Sequence, residues 1–171
     1  MIILGIDPGI AIVGYGVVQF EKGSFKTLAM GSVETPSGLD TESRIEIIYN
    51  DITELIDLYR PTELAIEELF FNTNQKTVIA VAEARGVILL AAKKKNLCIS
   101  EYTPLQVKQS VVGYGKAGKK QVTELVRIIL SLENVPKLDD TSDALAIAIC
   151  HAHCAGSRIQ EFYNQKKKKL L

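Results

Sequence analysis

Apolar residues form three short runs at the start of the chain, separated by turn residues. The first begins at Ile2 and is ended by Asp7-Pro8-Gly9, which is typical of a strand followed by a turn. Runs over 12–20 and 25–33 predict two more strands, and the connection over 21–24 contains a glycine and has the length of a hairpin loop. The pattern therefore predicts a three-stranded antiparallel opening.

The rest of the chain alternates between helical and strand patterns. Apolar residues recur at helical spacing from 45 to 59, after a capping-box pattern that begins at Ser43 and before Pro61. Strands are predicted at 64–67 and 97–102, on either side of a helix over 77–95 that is apolar nearly all round. Further helices are predicted from about 105, over 119–132 and over 140–155. The order β-β-β-α-β-α-β-α-α-α predicts an α/β fold with one mixed sheet and helices on its faces.

Composition agrees with a single globular domain. The chain has 171 residues, of which 47% are hydrophobic and 23% charged. We find no repeat and no linker, so one domain over residues 1–156 is expected, followed by a basic, mobile tail over 157–171 that carries four consecutive lysines at 166–169. The apolar runs are too short for a membrane helix, and the first residues do not resemble a signal peptide. A cytoplasmic location is expected.

Three cysteines are present, and none forms a CxxC pair, which fits a reducing compartment. The stretch CHAHC at 150–154 suggests a zinc site at first sight. On a helix, however, its cysteines and histidines diverge by large angles and cannot build a tetrahedron alone. We interpret these residues as buried side chains of a core helix.

Charge is distributed unevenly along the chain. The formal net charge is zero, but residues 1–91 carry 13 acidic and 6 basic side chains, whereas residues 92–171 carry 7 acidic and 14 basic ones. This asymmetry fits a carboxylate centre beside a basic surface, as in a metal-dependent enzyme that acts on nucleic acid. Part of it is also explained by solvated lysines.

Carboxylates stand at two predicted strand ends and at one predicted helix start. Asp7 ends the first strand, and Glu67 and Glu68 end the fourth. Asp140 and Asp143 share one helix face, where they repel each other unless a cation lies between them. Because ligands bind at the carboxyl ends of parallel strands in such sheets, neighbouring first and fourth strands would bring these acids together.

A cluster of oxygen ligands without histidine or cysteine favours a hard cation, Mg²⁺ or Mn²⁺. Two such ions about 4 Å apart activate a water and stabilise the leaving oxygen of a phosphodiester. Asp139, at the entrance of the last helix, suits a capping role instead.

Several motifs in one register together resemble the RuvC family of bacterial Holliday-junction resolvases, which have a ribonuclease-H-like fold. The similarity spans about residues 1–155. The motifs are GIDPG at 5–9, GYG at 14–16, AIEELFF at 65–71, ARG at 84–86, QVKQSVVGYG at 106–115, KKQV at 119–122 and DDTSDALAIAICH at 139–151.

The resemblance implies a homodimeric endonuclease that nicks two opposed strands of four-way junction DNA symmetrically in recombination and repair. It implies two Mg²⁺ ions per active site, with Mn²⁺ as a substitute, held by Asp7, Glu67, Asp140 and Asp143 as catalytic acids. Alternation along the strand does not distinguish Glu67 from Glu68; the resemblance makes that choice. It also implies association with the RuvA and RuvB branch-migration complex.

The family's DNA-contacting positions fall on Phe70, Lys108 and Lys119. Each also has a simpler interpretation. Phe70 is a core residue without the family context, and the two lysines are solvated side chains, although neighbouring glycines also suit a phosphate contact.

Three other functions compete with this one. GYGKAGKK at 113–120 nearly matches a nucleotide-binding phosphate loop, but it ends in lysine where that loop needs serine or threonine. Sugar-kinase and actin-like ATPases open with a similar strand and turn but need two such domains. A junction-binding protein without nuclease activity is the third, and the presence of all four acids argues against it.

Overall fold

The computed structural model describes residues 1–69 and 75–155, with the side chains of residues 75–77 left out. The predicted tail over 157–171 lies outside these residues. Five strands form one sheet in the order β3-β2-β1-β4-β5. The β1–β2 and β2–β3 pairs are antiparallel, and the β1–β4 and β4–β5 pairs are parallel. The predicted mixed sheet is confirmed. The strands are β1 Ile2–Asp7, β2 Ile12–Glu21, β3 Ser24–Glu34, β4 Glu63–Glu67 and β5 Cys98–Tyr102.

Helices cover both faces of the sheet, so the fold has three layers. The predicted order of elements is confirmed. One core lies between the sheet and α1 with α2, and the other lies between the sheet and α3, α4 and α5. The helices are α1 Thr41–Tyr59, α2 Gln75–Lys94, α3 Pro104–Val112, α4 Lys119–Ile129 and α5 Asp139–Ala155.

The start of α1 corrects the sequence-based prediction. The side chain of Asp40, not that of Ser43, caps the helix, and its Oδ1 accepts a hydrogen bond of 2.7 Å from the Ser43 backbone N–H. The capping box occurs instead at α3, where Thr103 and Gln106 bond to each other's backbone N–H groups. The spacing of Ser43 to Glu46 fits a capping box, but the cap lies three residues earlier, at Asp40, whose side chain is equally able to accept the bond.

Three glycines allow α5 to lie directly on the sheet. A Cβ added to Gly14 of β2 would stand 2.0 Å from the Asp140 carbonyl oxygen, and one added to Gly5 of β1 would stand 2.2 Å from that of Ala144. At Gly16 the added atom would meet the Leu145 side chain at 2.5 Å. These distances leave no room for a side chain. The GIDPG and GYG motifs therefore determine how closely α5 approaches the strand ends.

Helix α2 leaves large apolar side chains on the surface, along a face that also carries the exposed Glu83. Ala84 and Ile88 are buried against the sheet, whereas Ile79 is 61% exposed and Leu90 is 52% exposed. Gly86 lies between them on the exposed side, and a Cβ there would meet no atom within 4 Å. Among the described residues, no helix combines the length and apolar character that crossing a membrane requires.

Candidate metal and nucleic-acid site

Asp7 and Glu67 end neighbouring parallel strands. The β1–β4 pairing runs as far as Ile6 and Ile66, and the two acids are the next residue on each strand. Strands β1 and β4 are neighbours, as the convergence of the acids requires. The two carboxyl groups are close enough for each to influence the pKa of the other.

The alternation of β4 distinguishes Glu67 from Glu68. Leu64 and Ile66 belong to the core under α1 and α2, while Ala65 belongs to the core under α5. Glu67 is two residues beyond Ala65 and shares its face, so it points to the side of the sheet that α5 covers. Glu68 follows the end of the strand. Glu67 therefore lies on the same side of the sheet as Asp140 and Asp143 of α5.

The first turn of α5 brings the other two acids to the same place. Gly14, which lies beneath the Asp140 carbonyl, pairs with Asp7 across β1 and β2. Asp140 and Asp143 both raise the pKa of Asp7 by their charge. The other three predicted acids are therefore close enough to influence this one carboxyl group.

The electrostatics at Asp7 are those of a crowded anionic site. Burial is the main cause that raises the pKa of Asp7 to about 7, and the charges of Glu67, Asp143 and Asp140 add to it, while Lys119 opposes them. Burial also raises the pKa values of Glu67 and Asp143. The fold holds carboxylates where their ionised forms are disfavoured, which calls for positive charge at this point.

Lys119, the first residue of α4, supplies part of that charge. Its Nζ lies 3.1 Å from Asp143 Oδ2 and 3.3 Å from Asp139 Oδ2. Burial lowers the pKa of Lys119, but the two aspartates outweigh this effect and the net pKa is raised. Asp139 is the first residue of α5 rather than the residue before it, and its carboxylate contacts Lys119. The expected role of Asp139 as a simple cap is therefore not what its contacts indicate.

A cleft of about 250 Å³ opens beside the acids. Glu67, Asp143, Lys108 and Lys119 are among the residues that line it. Two predicted catalytic acids and both predicted DNA-contacting lysines thus share one concave surface. Phe70 lies outside the described residues.

The donor set fits a hard divalent cation. Carboxylate oxygens are the ligands that such cations prefer, burial and the charges of the other acids raise the pKa of Asp7, and an ammonium group already contacts Asp143. In the described ranges, no group of three or more His, Cys, Asp or Glu side chains has an arrangement that could hold a metal ion as it stands.

The CHAHC stretch is not part of this site. His151 is buried, and its Nδ1 lies 2.8 Å from the Tyr102 hydroxyl, whereas His153 Nδ1 lies 3.1 Å from Ser110 Oγ. Cys150 is buried and Cys154 is half-buried. The side chains diverge toward different elements, in agreement with the core interpretation for Cys150 and His151.

The GYGKAGKK stretch does not have the surroundings of a nucleotide-binding loop. That loop follows a strand and opens a helix. Here the segment follows α3 and precedes α4, so it joins two helices. The nucleotide-hydrolase alternative is not favoured.

Sequence reasoning assigned no role to Arg85 of α2, although it lies in the ARG motif. Its Nε donates a hydrogen bond of 3.3 Å to the main-chain carbonyl of Glu67. Its Nη2 lies 2.8 Å from Glu101 Oε2. Spacing in the sequence could not reveal this contact, because it joins residues on a helix and on two strands.

Comparison with known proteins gives a consistent result. The family described as crossover junction endodeoxyribonuclease RuvC matches residues 3–151. The protein of that name from Alkaliphilus oremlandii is 56% identical over 153 residues, which are 90% of this chain and 93% of that protein. The one from Clostridioides difficile is 54% identical over 153 residues, 90% of each chain.

Solved structures agree with the sequence matches. Thermus thermophilus RuvC in complex with Holliday junction substrate has a TM-score of 0.87 at 36% identity, over 91% of this chain and 94% of that one. The yeast mitochondrial Holliday junction resolvase has a TM-score of 0.67 at 16% identity, over 99% of this chain and 84% of that one, a likeness of fold alone. The predicted fold class is thereby confirmed.

Proposed function

Because the chain belongs to the RuvC family of crossover junction endodeoxyribonucleases, we propose that it resolves four-way DNA junctions by paired, symmetric nicks. The observation that carries this proposal is the cleft that Glu67 and Asp143 line together with Lys108 and Lys119. Acids that bind a cation and lysines that bind phosphate are needed side by side for the hydrolysis of a phosphodiester.

In this proposal, Asp7, Glu67, Asp140 and Asp143 hold two Mg²⁺ ions, for which Mn²⁺ is a substitute. The ions supply charge that activates a water and stabilises the leaving oxygen. The chain's own contribution is to gather four carboxylates at two strand ends and one helix start. It also keeps Asp7 buried enough for its pKa to rise to about 7, so that a bound cation restores its ionised form.

Lys108 and Lys119 are proposed to hold the DNA backbone next to the acids. The charges of both lysines lower the pKa of Glu67 and oppose the effect of its burial, so they act on the same site. When a cation neutralises the Asp143 carboxylate, Lys119 is proposed to leave Asp143 and to bind a phosphate oxygen of the DNA instead. Phe70 is proposed to stack on a base near the junction point.

Paired cutting needs two active sites related by symmetry. We propose that the exposed stripe of Ile79, Gly86 and Leu90 on α2 is the contact of a homodimer, since its small central residue permits close approach of a second copy. Association with RuvA and RuvB is proposed from the family. A cytoplasmic location stays a prediction from the sequence.

The test is a cleavage assay that compares a synthetic four-way junction with linear duplex of the same sequence, with and without Mg²⁺. The wild-type protein is expected to cut the junction in two opposed strands when Mg²⁺ is present and to leave the duplex intact. Asp7→Asn is expected to abolish cutting while junction binding stays intact or becomes stronger, because the variant removes one anionic ligand but none of the DNA-facing lysines.

Three outcomes would contradict the proposal. Equal cutting of junction and duplex would indicate a general nuclease. Normal cutting by Asp7→Asn would remove Asp7 from the ligand set. A wild-type protein that binds the junction without cutting it would favour the non-catalytic alternative.

A further inference from the structure

Arg85 lies where helix α2 meets the end of strand β4. Its side chain is 14% exposed, so its charge is largely removed from water. The guanidinium contacts two partners: Nε donates a hydrogen bond of 3.3 Å to the Glu67 carbonyl oxygen, and Nη2 forms an ion pair with Glu101 Oε2 at 2.8 Å that lacks hydrogen-bond geometry. A rigid, planar fork with donors on different nitrogens suits this double contact, and a lysine does not provide one.

The carbonyl that Arg85 contacts belongs to the peptide group that joins Glu67 to Glu68. The N–H of the same peptide group donates a hydrogen bond of 2.8 Å to the Tyr102 carbonyl at the end of β5. Because a peptide group is planar and rigid, contacts at both of its ends fix its orientation. The peptide group before Glu67 lies within the paired strand β4. Both peptide planes next to the Glu67 Cα atom are thus held, and they determine the direction in which its side chain leaves the strand.

An ordinary structural ion pair would not need this arrangement. Glu101 is 38% exposed, and exposed ion pairs contribute little to stability. Arg85 Nη2 is itself buried, and Arg85 Nε contacts the backbone of Glu67, a residue that lines the cleft. The arrangement serves the position of Glu67 more than the stability of the fold.

We propose that Arg85 is a positioning residue that holds Glu67 in the direction required for cation binding, and that it ties Glu67 to helix α2. This inference rests on the proposed function, since it assigns Arg85 to the site that the function uses. It also means that a displacement of α2, the helix with the exposed apolar stripe, would move a ligand of the site.

The test compares Arg85→Met, Arg85→Lys and a matched control, Lys95→Met. Lys95 lies just after α2 and pairs with Asp57, away from the site. The control removes this ion pair. For each variant we measure Mn²⁺ affinity by calorimetry without DNA, kcat and KM for junction cleavage, the sedimentation mass and the melting temperature.

Arg85→Met is expected to weaken Mn²⁺ affinity and kcat by about 10- to 100-fold, the range typical of groups that orient metal ligands. KM for the junction and the sedimentation mass should stay at their wild-type values. Arg85→Lys should recover part of the loss, since it keeps the charge opposite Glu101 but cannot hold both partners. Lys95→Met should behave as wild type in Mn²⁺ affinity and kcat.

Wild-type Mn²⁺ affinity in a folded Arg85→Met protein would overturn the proposal. The proposal would also be overturned if Mn²⁺ affinity, KM and sedimentation mass all changed together with a fall in the melting temperature. That result would indicate a purely structural role for Arg85. If Arg85→Met does not fold, Glu101→Gln decides: a weaker Mn²⁺ affinity supports the proposal, and an unchanged one overturns it. Mn²⁺ binding is measured without DNA, so it tests the role of Arg85 independently of junction cleavage. A wild-type protein that fails to cut junctions would refute the proposed function but not the role of Arg85.

Discussion

At the scale of single residues, the environment of a side chain decides its chemistry more than its identity does. Asp7 and Asp40 are both aspartates that follow an extended or turn segment. Burial beside other acids raises the pKa of Asp7, whereas a hydrogen bond from the Ser43 backbone lowers the pKa of Asp40 at a helix start. Positive charge near Asp7 would therefore favour its ionised form, whereas Asp40 stabilises the start of α1.

His151 gives a prediction about acid stability. Burial lowers its pKa to about 4, and it is packed between the Tyr102 hydroxyl and the Glu63 carboxyl, whose own pKa burial raises. The unfolded chain binds a proton near the ordinary histidine pKa of about 6.5, and the folded chain does not until about pH 4. Stability contributed by neutral His151 is therefore complete above pH 6.5 and is lost as the pH falls toward 4.

We expect this residue to reduce the free energy of unfolding by about 2 kcal/mol between pH 7 and pH 5. His151→Gln, which can still bond to Tyr102, should lose that part of the pH dependence. Urea unfolding of both proteins in EDTA measures it. The raised pKa of Asp7 acts in the opposite direction in the same range, but it is common to both proteins and cancels in their difference. Parallel pH curves for the two proteins would contradict the prediction.

At the scale of elements, the contact between α5 and the first two strands determines the site. Asp140 and Asp143 are on the helix, and Asp7 is on the strand, so their separation depends on how closely the two elements pack. The glycines at positions 5, 14 and 16 set that distance. The apolar residues of α5 from Ala144 to Ile149, all buried, then anchor the first turn against the sheet.

Gly14→Ala is expected to impair cutting more than folding. The added methyl group would stand 2.0 Å from the Asp140 carbonyl oxygen, a backbone atom that moves only if the start of α5 moves. Overpacking of this kind costs roughly 1–3 kcal/mol. We expect kcat for junction cleavage to fall by at least about tenfold, equivalent to about 1.4 kcal/mol in the barrier.

Gly16→Ala is the matched control on the same strand. Its methyl group would meet the Leu145 side chain, which can adjust. The melting temperature should therefore fall, but kcat for junction cleavage should fall less than in Gly14→Ala. Cleavage kinetics and thermal melting of both variants provide the comparison. If Gly14→Ala cuts at the wild-type rate, the close approach of α5 is not what positions Asp140.

At the scale of the whole molecule, the two faces of the sheet have different tasks. The α5 face carries the acids, the lysines and the cleft. The other face carries α2, whose outer stripe is apolar although its inner side is already buried. Arg85 connects the two faces, since it extends from α2 to the end of β4.

Leu90→Lys is expected to shift the protein from a dimer to a monomer at micromolar concentration. A charge on a residue that is 52% exposed costs the monomer little but is unfavourable when a second copy covers it. The monomer should lose paired nicking of the junction. Sedimentation and a cleavage assay on the same samples measure both properties.

Ile128→Lys is the control for that variant. Ile128 is 54% exposed and lies on α4, on the opposite face of the sheet, so its substitution should leave the mass unchanged. A monomeric wild-type protein, or a dimeric Leu90→Lys protein, would exclude this stripe as the contact.

The sequence by itself determined the order of elements, the mixed sheet and the four candidate acids. Short-range patterns carry this information, because alternation and helical spacing report which faces are buried, and a charge at the end of a buried strand is costly without a role. The choice of Glu67 over Glu68 came from the family motif, although the structure agrees with it through the face that Ala65 shares.

Only the tertiary structure decided the contacts between distant segments. Lys119 meets Asp139 and Asp143, and Arg85 meets the Glu67 carbonyl, across separations that no local pattern encodes. The cap of α1 at Asp40 rather than Ser43 was likewise decided by the fold, because several residues near a helix start can accept the same bond. Spacing along a chain predicts which residues share a face, but which faces meet depends on packing, and here packing is set by the close approach that glycine permits.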